Sequence, residues 1–265
     1  MEKSNTRILS LDVFRGLTII LMIIVNDPGS WNHVYAPLLH ASWNGLTPTD
    51  YIFPAFIFIV GVSIVLSLTK QSEKGLNRKQ LVKKILFRSI KIYLVGLFLW
   101  LWPSFDFGRI RWVGVLPRIA LVFMVCALLF LYTKRKTQLI IAIVILVGYW
   151  LIMMYLPVPG IGIPDLSEPG KNWANYLDQN YLPGYLWKKN WDPEGILSSF
   201  PAVVTGLLGM MAGFILISNV EFKDKLLRLF LLASTLLICG DIAQYFMPLN
   251  KSIWSSSFVF ITGGI

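Results

Sequence analysis

Eight apolar runs, most of them close to 20 residues long, recur along this sequence, and they restrict the chain to one solvent and one backbone geometry. About 20 residues at a rise of 1.5 Å cross roughly 30 Å of hydrocarbon. Lipid offers an open backbone no hydrogen-bond partner, so such runs cross as helices. The expected spans are 8–25, 51–68, 85–102, 113–132, 139–156, 196–217, 226–246 and a final run at 253–265. That last run gives only about 20 Å of helix, short of a full crossing. The expected fold class is therefore all-α: a polytopic transmembrane helix bundle of about seven or eight spans, forming one domain over residues 1–265. Composition agrees, with 55% hydrophobic residues, 14% charged residues and a mean hydropathy of +0.64. Soluble domains lie well outside that combination.

The net charge of +10 is better read as orientation than as a nucleic-acid surface, because the basic residues sit in short loops between apolar runs. With the N-terminus cytoplasmic, sixteen basic residues fall inside: Lys3, Arg7, Lys70, Lys74, Arg78, Lys79, Lys83, Lys84, Arg88, Lys91, Lys134, Arg135, Lys136, Lys223, Lys225 and Arg228. Six fall outside: Arg109, Arg111, Lys171, Lys188, Lys189 and Lys251. The lipid bilayer is the expected partner, no nucleic acid is expected, and a homodimer stays open. Cys126 and Cys239 both lie inside apolar runs, so neither a disulfide framework nor a paired-cysteine metal site is expected.

Two outer segments, 26–50 and 157–195, are too rich in aromatic and apolar residues to be plain connectors and are expected to fold back over the membrane face. The second carries Trp173, Tyr176, Tyr181, Tyr185, Trp187 and Trp191 with Asp178 and Asp192. Such aromatics anchor proteins at membrane interfaces, and with carboxylates they also suit a sugar. The turn Asp192-Pro193-Glu194-Gly195 reads equally as a cap for the next helix.

The first span holds Asp12, Arg15 and Asn26. Asp12 and Arg15 are neighbours at i, i+3, and Asn26, eleven residues past Arg15, lies on nearly the same helix face. Ionisable groups inside a membrane face a bundle interior or a cavity. An ion pair locking two helices and an anion contact through Arg15 are both open readings. Thr47, Pro48 and Asp50 read as a helix start: N-cap hydroxyl, proline at the first position, carboxylate at the third. Asp50 could also orient His40. The other histidine, His33, shares that loop, and residue physics does not separate the two.

Several blocks together resemble the heparan-α-glucosaminide N-acetyltransferase family and its bacterial relatives. They are RILSLDVFRGLT at 7–18, VN at 25–26, HASWNGLTPTDYIFP at 40–54, FIVG at 58–61, GVLPRIA at 114–120, DPEGILS at 192–198 and PLNKSIWSSSF at 248–258. Their order covers nearly the whole chain. The resemblance implies a multispan enzyme of a bacterial inner membrane that moves an acetyl group from cytoplasmic acetyl-CoA, a co-substrate, to an extracytoplasmic amino sugar. It implies no metal. His40 matches the family's active-site histidine, with Asp50 to orient it and Asn26 to donate to the acyl oxygen or thioester. Arg15, Asp12 and Arg118 become candidates for the anionic parts of CoA, although Arg118 could instead pair with Asp241. Trp43, Asn44, Asp192, Glu194, Asn250 and Lys251 become candidate acceptor contacts. Family members continue for several spans past the position of Ile265, so the chain is expected to lack C-terminal spans. A transporter of N-acetylglucosamine type and an inactive shortened homologue are the competing expectations; the lack of an internal repeat weighs against the transporter.

Overall fold

The computed structural model describes residues 9–265. Lys3, Arg7 and the first residue of the first expected span lie outside the described residues. Every regular element among the described residues is helical. Seven long helices are α1 (Leu9–Asn26), α2 (Ile52–Glu73), α3 (Arg78–Leu101), α4 (Val115–Tyr132), α5 (Arg135–Tyr155), α7 (Ser199–Leu216) and α8 (Phe222–Ala243); α6 (Trp173–Tyr181) and α9 (Ser256–Gly264) are short. Six of the long ones are apolar enough to cross a membrane along their length. The exception is α3, whose first half carries Arg78, Lys79, Lys83, Lys84, Arg88 and Lys91. This is an integral membrane protein built as a helix bundle, as the apolar runs require.

Local sequence sets most helix limits. Asn77 caps α3 by accepting from Gln80 N at 2.9 Å, while the Gln80 side chain accepts from Asn77 N at 3.0 Å. A 3₁₀ turn at Pro48–Tyr51 leads into α2, and the Asp50 carboxylate accepts from Thr47 N at 3.0 Å, so the expected helix start holds. Gly195 does not begin the following helix, which starts four residues later at Ser199.

Helices α2 and α7 form the centre. A Cβ on Gly61 would overlap Gly206 O, and one on Gly209 would overlap Phe58 O, so the two backbones touch directly. Close approach of this kind replaces the hydrophobic drive that lipid removes. Around this pair α4, α5 and α9 enclose a core that includes Ile57, Val65, Val122, Leu207 and Phe258. α1 and α8 stay largely exposed, as lipid-facing helices do. The short turns between α2 and α3, α4 and α5, and α7 and α8 collect the basic residues Lys70, Lys74, Arg78, Lys134–Lys136 and Lys223–Arg228 at one end. The two long segments, 26–50 and 157–195, meet at the other, where Trp43 and Asn44 bond Leu166.

Candidate active site

His40 sits at that second end, its side chain 50% exposed, with Nδ1 2.7 Å from Oδ1 of Asp50. Asp50 itself is 1% exposed. Its second oxygen accepts from Ala41 N at 3.1 Å and from Thr47 N at 3.0 Å, so the carboxylate is clamped by the backbone on both sides of the loop. The Thr47 hydroxyl donates to Leu39 O at 2.7 Å and pins the loop end that carries His40. The capping role and the histidine-orienting role expected for Asp50 thus coexist, one on each oxygen. His33 lies in an exposed turn, 3.5 Å from the Ser30 hydroxyl and away from this arrangement.

Lys251 completes the cluster from far along the chain. Its Nζ lies 2.9 Å from His40 Nδ1, 3.2 Å from Nε2 and 3.6 Å from Asp50 Oδ1. Nearly equal distances to both ring nitrogens exclude a position in the ring plane, where Cε1 would collide, so the ammonium stands over one face of the imidazole. Its side chain is 20% exposed. Burial pulls the Lys251 pKa down, and the charges of Asp50 and Glu194 oppose the shift without cancelling it.

The two long segments are stitched together to bring these groups into contact. Trp43 Nε1 and Asn44 Nδ2 both donate to Leu166 O at 2.9 Å, joining the first segment to the second. Asn250 Nδ2 donates to Asn44 Oδ1 at 2.9 Å, and Gly45 N donates to Leu249 O at 2.8 Å, joining it to the α8–α9 loop. Asn250 also accepts from Ile253 N at 3.1 Å and donates through its own N to Ser255 Oγ at 3.1 Å. Trp254 follows with φ of 52°, a strained value for a bulky residue, held because its ring is buried and its Nε1 donates to Thr205 Oγ1. Trp43, Asn44 and Asn250, expected as acceptor contacts, form the scaffold that carries Lys251 to His40.

A second polar cluster lies in the loops at this same end of the bundle. Arg111 donates to Asp192 through Nε at 2.7 Å and again through Nη2, which also reaches Glu194. Its guanidinium lies over the Trp100 and Trp187 rings. Burial acts to lower the Arg111 pKa, but the paired carboxylates outweigh it and the net shift is upward. Asp192 and Glu194 therefore do not cap α7: both turn toward Arg111, because two buried carboxylates need a cation more than a helix end does. Asp178 of α6 accepts from Ile196 N at 2.9 Å and Asp192 N at 3.3 Å and fixes the same turn. Its pKa is pushed up to about 7, mainly by burial. Arg111 and the structural role of Asp178 escaped the sequence reading. The signal was present, since two close acids in an apolar loop call for one of the few cations in the loops at this end.

Arg118 does not pair with Asp241. It is 2% exposed, donates to Gly195 O at 3.2 Å and to the Ser198 hydroxyl, and stacks over Trp254. Asp241 lies on the exposed side of α8 and accepts from Gln244. The face of α4 bearing Arg118 packs under the turn at Gly195 and Ser198 rather than toward α8. On α1, Arg15 donates to Asp12 at 3.2 Å and to Ser63 of α2 at 2.8 Å, linking the two helices. Asn26 is exposed and donates to Met22 O of its own helix at 2.8 Å. From Arg15 to Asn26 the helix rises about 16 Å, so the stripe spans two depths instead of forming one cluster.

The sequence model of the family described as heparan-alpha-glucosaminide N-acetyltransferase, catalytic, matches residues 7–247. The chain belongs to that family. Heparan-alpha-glucosaminide N-acetyltransferase of Homo sapiens is 32% identical over 309 residues, covering 96% of this chain and 46% of the human protein. The Mus musculus protein of the same name is 30% identical over 314 residues, covering 97% of this chain and 47% of the relative. The chain spans about half the length of these curated relatives. The N-acetyltransferase match takes in His40 and Asp50 and ends just before the loop that supplies Lys251.

Proposed function

We propose that the chain carries the acetyl-transfer site of a membrane N-acetyltransferase, which takes an acetyl group from acetyl-CoA on the basic, cytoplasmic side and passes it to an amino sugar on the opposite side. The reading rests on His40, half-exposed at the outer end, with Nδ1 2.7 Å from the buried, backbone-clamped Asp50 carboxylate. Its family relatives bear the name of that reaction. A carboxylate on Nδ1 keeps the proton there and leaves the Nε2 lone pair free. That lone pair either takes the proton of an attacking amine or accepts the acetyl group itself before handing it on. The basic helix ends gather where a polyanionic CoA would enter, and Arg15, bonded to Ser63, sits on the inner half of α1. The thioester then has to reach His40 through the bundle. A cytoplasmic N-terminus in a bacterial inner membrane is part of this proposal.

The test is transfer of labelled acetyl from acetyl-CoA to glucosamine-type acceptors by membranes containing the protein. Wild type is expected to transfer label, and His40→Ala to lose roughly 10²–10⁴-fold in rate, the usual share of a general base. Equal rates in the two proteins would remove His40 from the reaction. Absence of any transfer by wild type would remove the function itself.

A further inference from the structure

We propose that Lys251 is a catalytic residue of this site: its ammonium, held over the His40 ring by Asp50, stabilises the negative charge that forms on the acyl oxygen during transfer. The inference rests on the acetyl-transfer reading above. Its basis is position, because Nζ stands 3.2 Å from Nε2 and out of the ring plane. An acyl carbon attacked by Nε2, or by an amine hydrogen-bonded to Nε2, lies near the plane of the ring. Its oxygen, on the face that Lys251 covers, then comes within hydrogen-bond reach of the ammonium.

The electron count is the same in both orders of reaction. The new bond to the acyl carbon, from the amine nitrogen or from Nε2, pushes the C=O pair onto oxygen. That pair re-forms the carbonyl as the bond to the leaving group breaks. In direct transfer sulfur departs as the CoA thiolate and the amine proton passes to Nε2; in the two-step order sulfur departs first, and Nε2 is the second leaving group, taking up the amine proton as its bond to the acyl carbon breaks. A preorganised cation facing the oxygen lowers the barrier of each addition without moving itself.

Three further observations favour this role for Lys251. The ammonium is mostly desolvated, which strengthens its field on a neighbouring charge. It is placed by a loop tied through Asn250 to Asn44 and braced by the buried Trp254, so it is held in advance of substrate. Asn26, the residue expected to donate to the acyl oxygen, spends its amide on Met22 O, whereas Lys251 already touches the histidine.

The experiment measures kcat and KM for acetyl-CoA, together with the thermal shift that acetyl-CoA produces, in wild type, Lys251→Met, Lys251→Gln and Lys251→Arg. Removing one oxyanion donor is expected to lower kcat about 10²–10³-fold in the Met variant. KM for acetyl-CoA is expected to stay within about threefold, since the contact forms only in the transition state. The Arg variant, which keeps the charge, is expected to recover at least about tenfold of that loss. Lys251→Gln, polar but uncharged and one atom shorter than lysine, guards against a folding failure of the Met variant and, lacking the charge, must also show a loss. An active wild type with a Met or Gln variant within about fivefold of its kcat, or a loss expressed in KM alone, overturns the role of Lys251 and leaves the function standing. A wild type unable to transfer acetyl overturns both.

Discussion

Asp50→Asn changes one atom and tests the site more sharply than a deletion. In the wild type Oδ2 accepts two backbone donors, Ala41 N at 3.1 Å and Thr47 N at 3.0 Å, while Oδ1 faces His40 Nδ1 at 2.7 Å. An asparagine has one acceptor oxygen, and its NH₂ cannot serve two N–H donors. The amide oxygen must therefore take the Oδ2 position, and the NH₂ must face the histidine. Nδ1 is then forced to accept, the ring proton moves to Nε2, and the lone pair needed for transfer is lost. The backbone clamp survives, so the fold loses only the charge-assisted part of these bonds, about 1–3 kcal/mol. The rate is expected to fall by roughly 10²–10⁴-fold, the span from one proton-transfer role to a fully mis-set tautomer. Acetyl transfer from labelled acetyl-CoA gives the rate, and thermal unfolding in detergent gives the stability. An Asp50→Asn protein with a near-native melting temperature and a rate within a few-fold of wild type would refute the assignment of Nδ1 as donor and Nε2 as the working nitrogen.

Other consequences can be checked on stability alone. Arg111→Met leaves Asp192 and Glu194 buried without their cation, and is expected to cost about 3–5 kcal/mol, read as a lowered unfolding midpoint. Gly195→Ala drives a methyl group into the Asp178 carboxylate and is expected to cost about 1–3 kcal/mol; an unchanged midpoint would mean that α6 yields freely. Asn250→Ala strands Ile253 N and releases Asn44, for about 1–3 kcal/mol of stability, and should also reduce acetyl transfer by loosening Lys251. Asp178, with a folded pKa raised to about 7 from an ordinary 3.8, contributes stability that is complete below pH 4 and is lost as pH rises through 7. Wild type minus Asp178→Asn, compared by thermal unfolding between pH 5 and pH 8, should therefore fall by a few kcal/mol at most. A flat difference would show that Asp178 is ionised throughout.

Local rules carried the sequence reading a long way and then stopped at a definite place. Apolar runs placed the seven long helices, because a membrane leaves such a run no other backbone solution. The Thr47-Pro48-Asp50 start of α2 was legible for the same reason: a cap is a contact between residues three apart. The acids of the 192–195 turn fit a helix cap or a ligand contact equally well in the sequence, and neither local reading points to Arg111, 81 residues earlier, which claims them. The Arg118–Asp241 pairing failed similarly, because hydropathy says that a polar side chain in a span needs company without saying which helix provides it.

Residue order alone therefore determined the solvent, the helical class and the grouping of basic charge between the apolar runs; it left His40 and His33 equal, and the family resemblance and then the 2.7 Å contact with Asp50 separated them. Only tertiary packing decided that Lys251, 211 residues from His40, stands over its ring, and that Arg111 rather than a helix end receives Asp192 and Glu194. Periodicity and capping act within a turn or two of helix, whereas these contacts exist because glycine-lined helices approach closely and the loops above them close on one another.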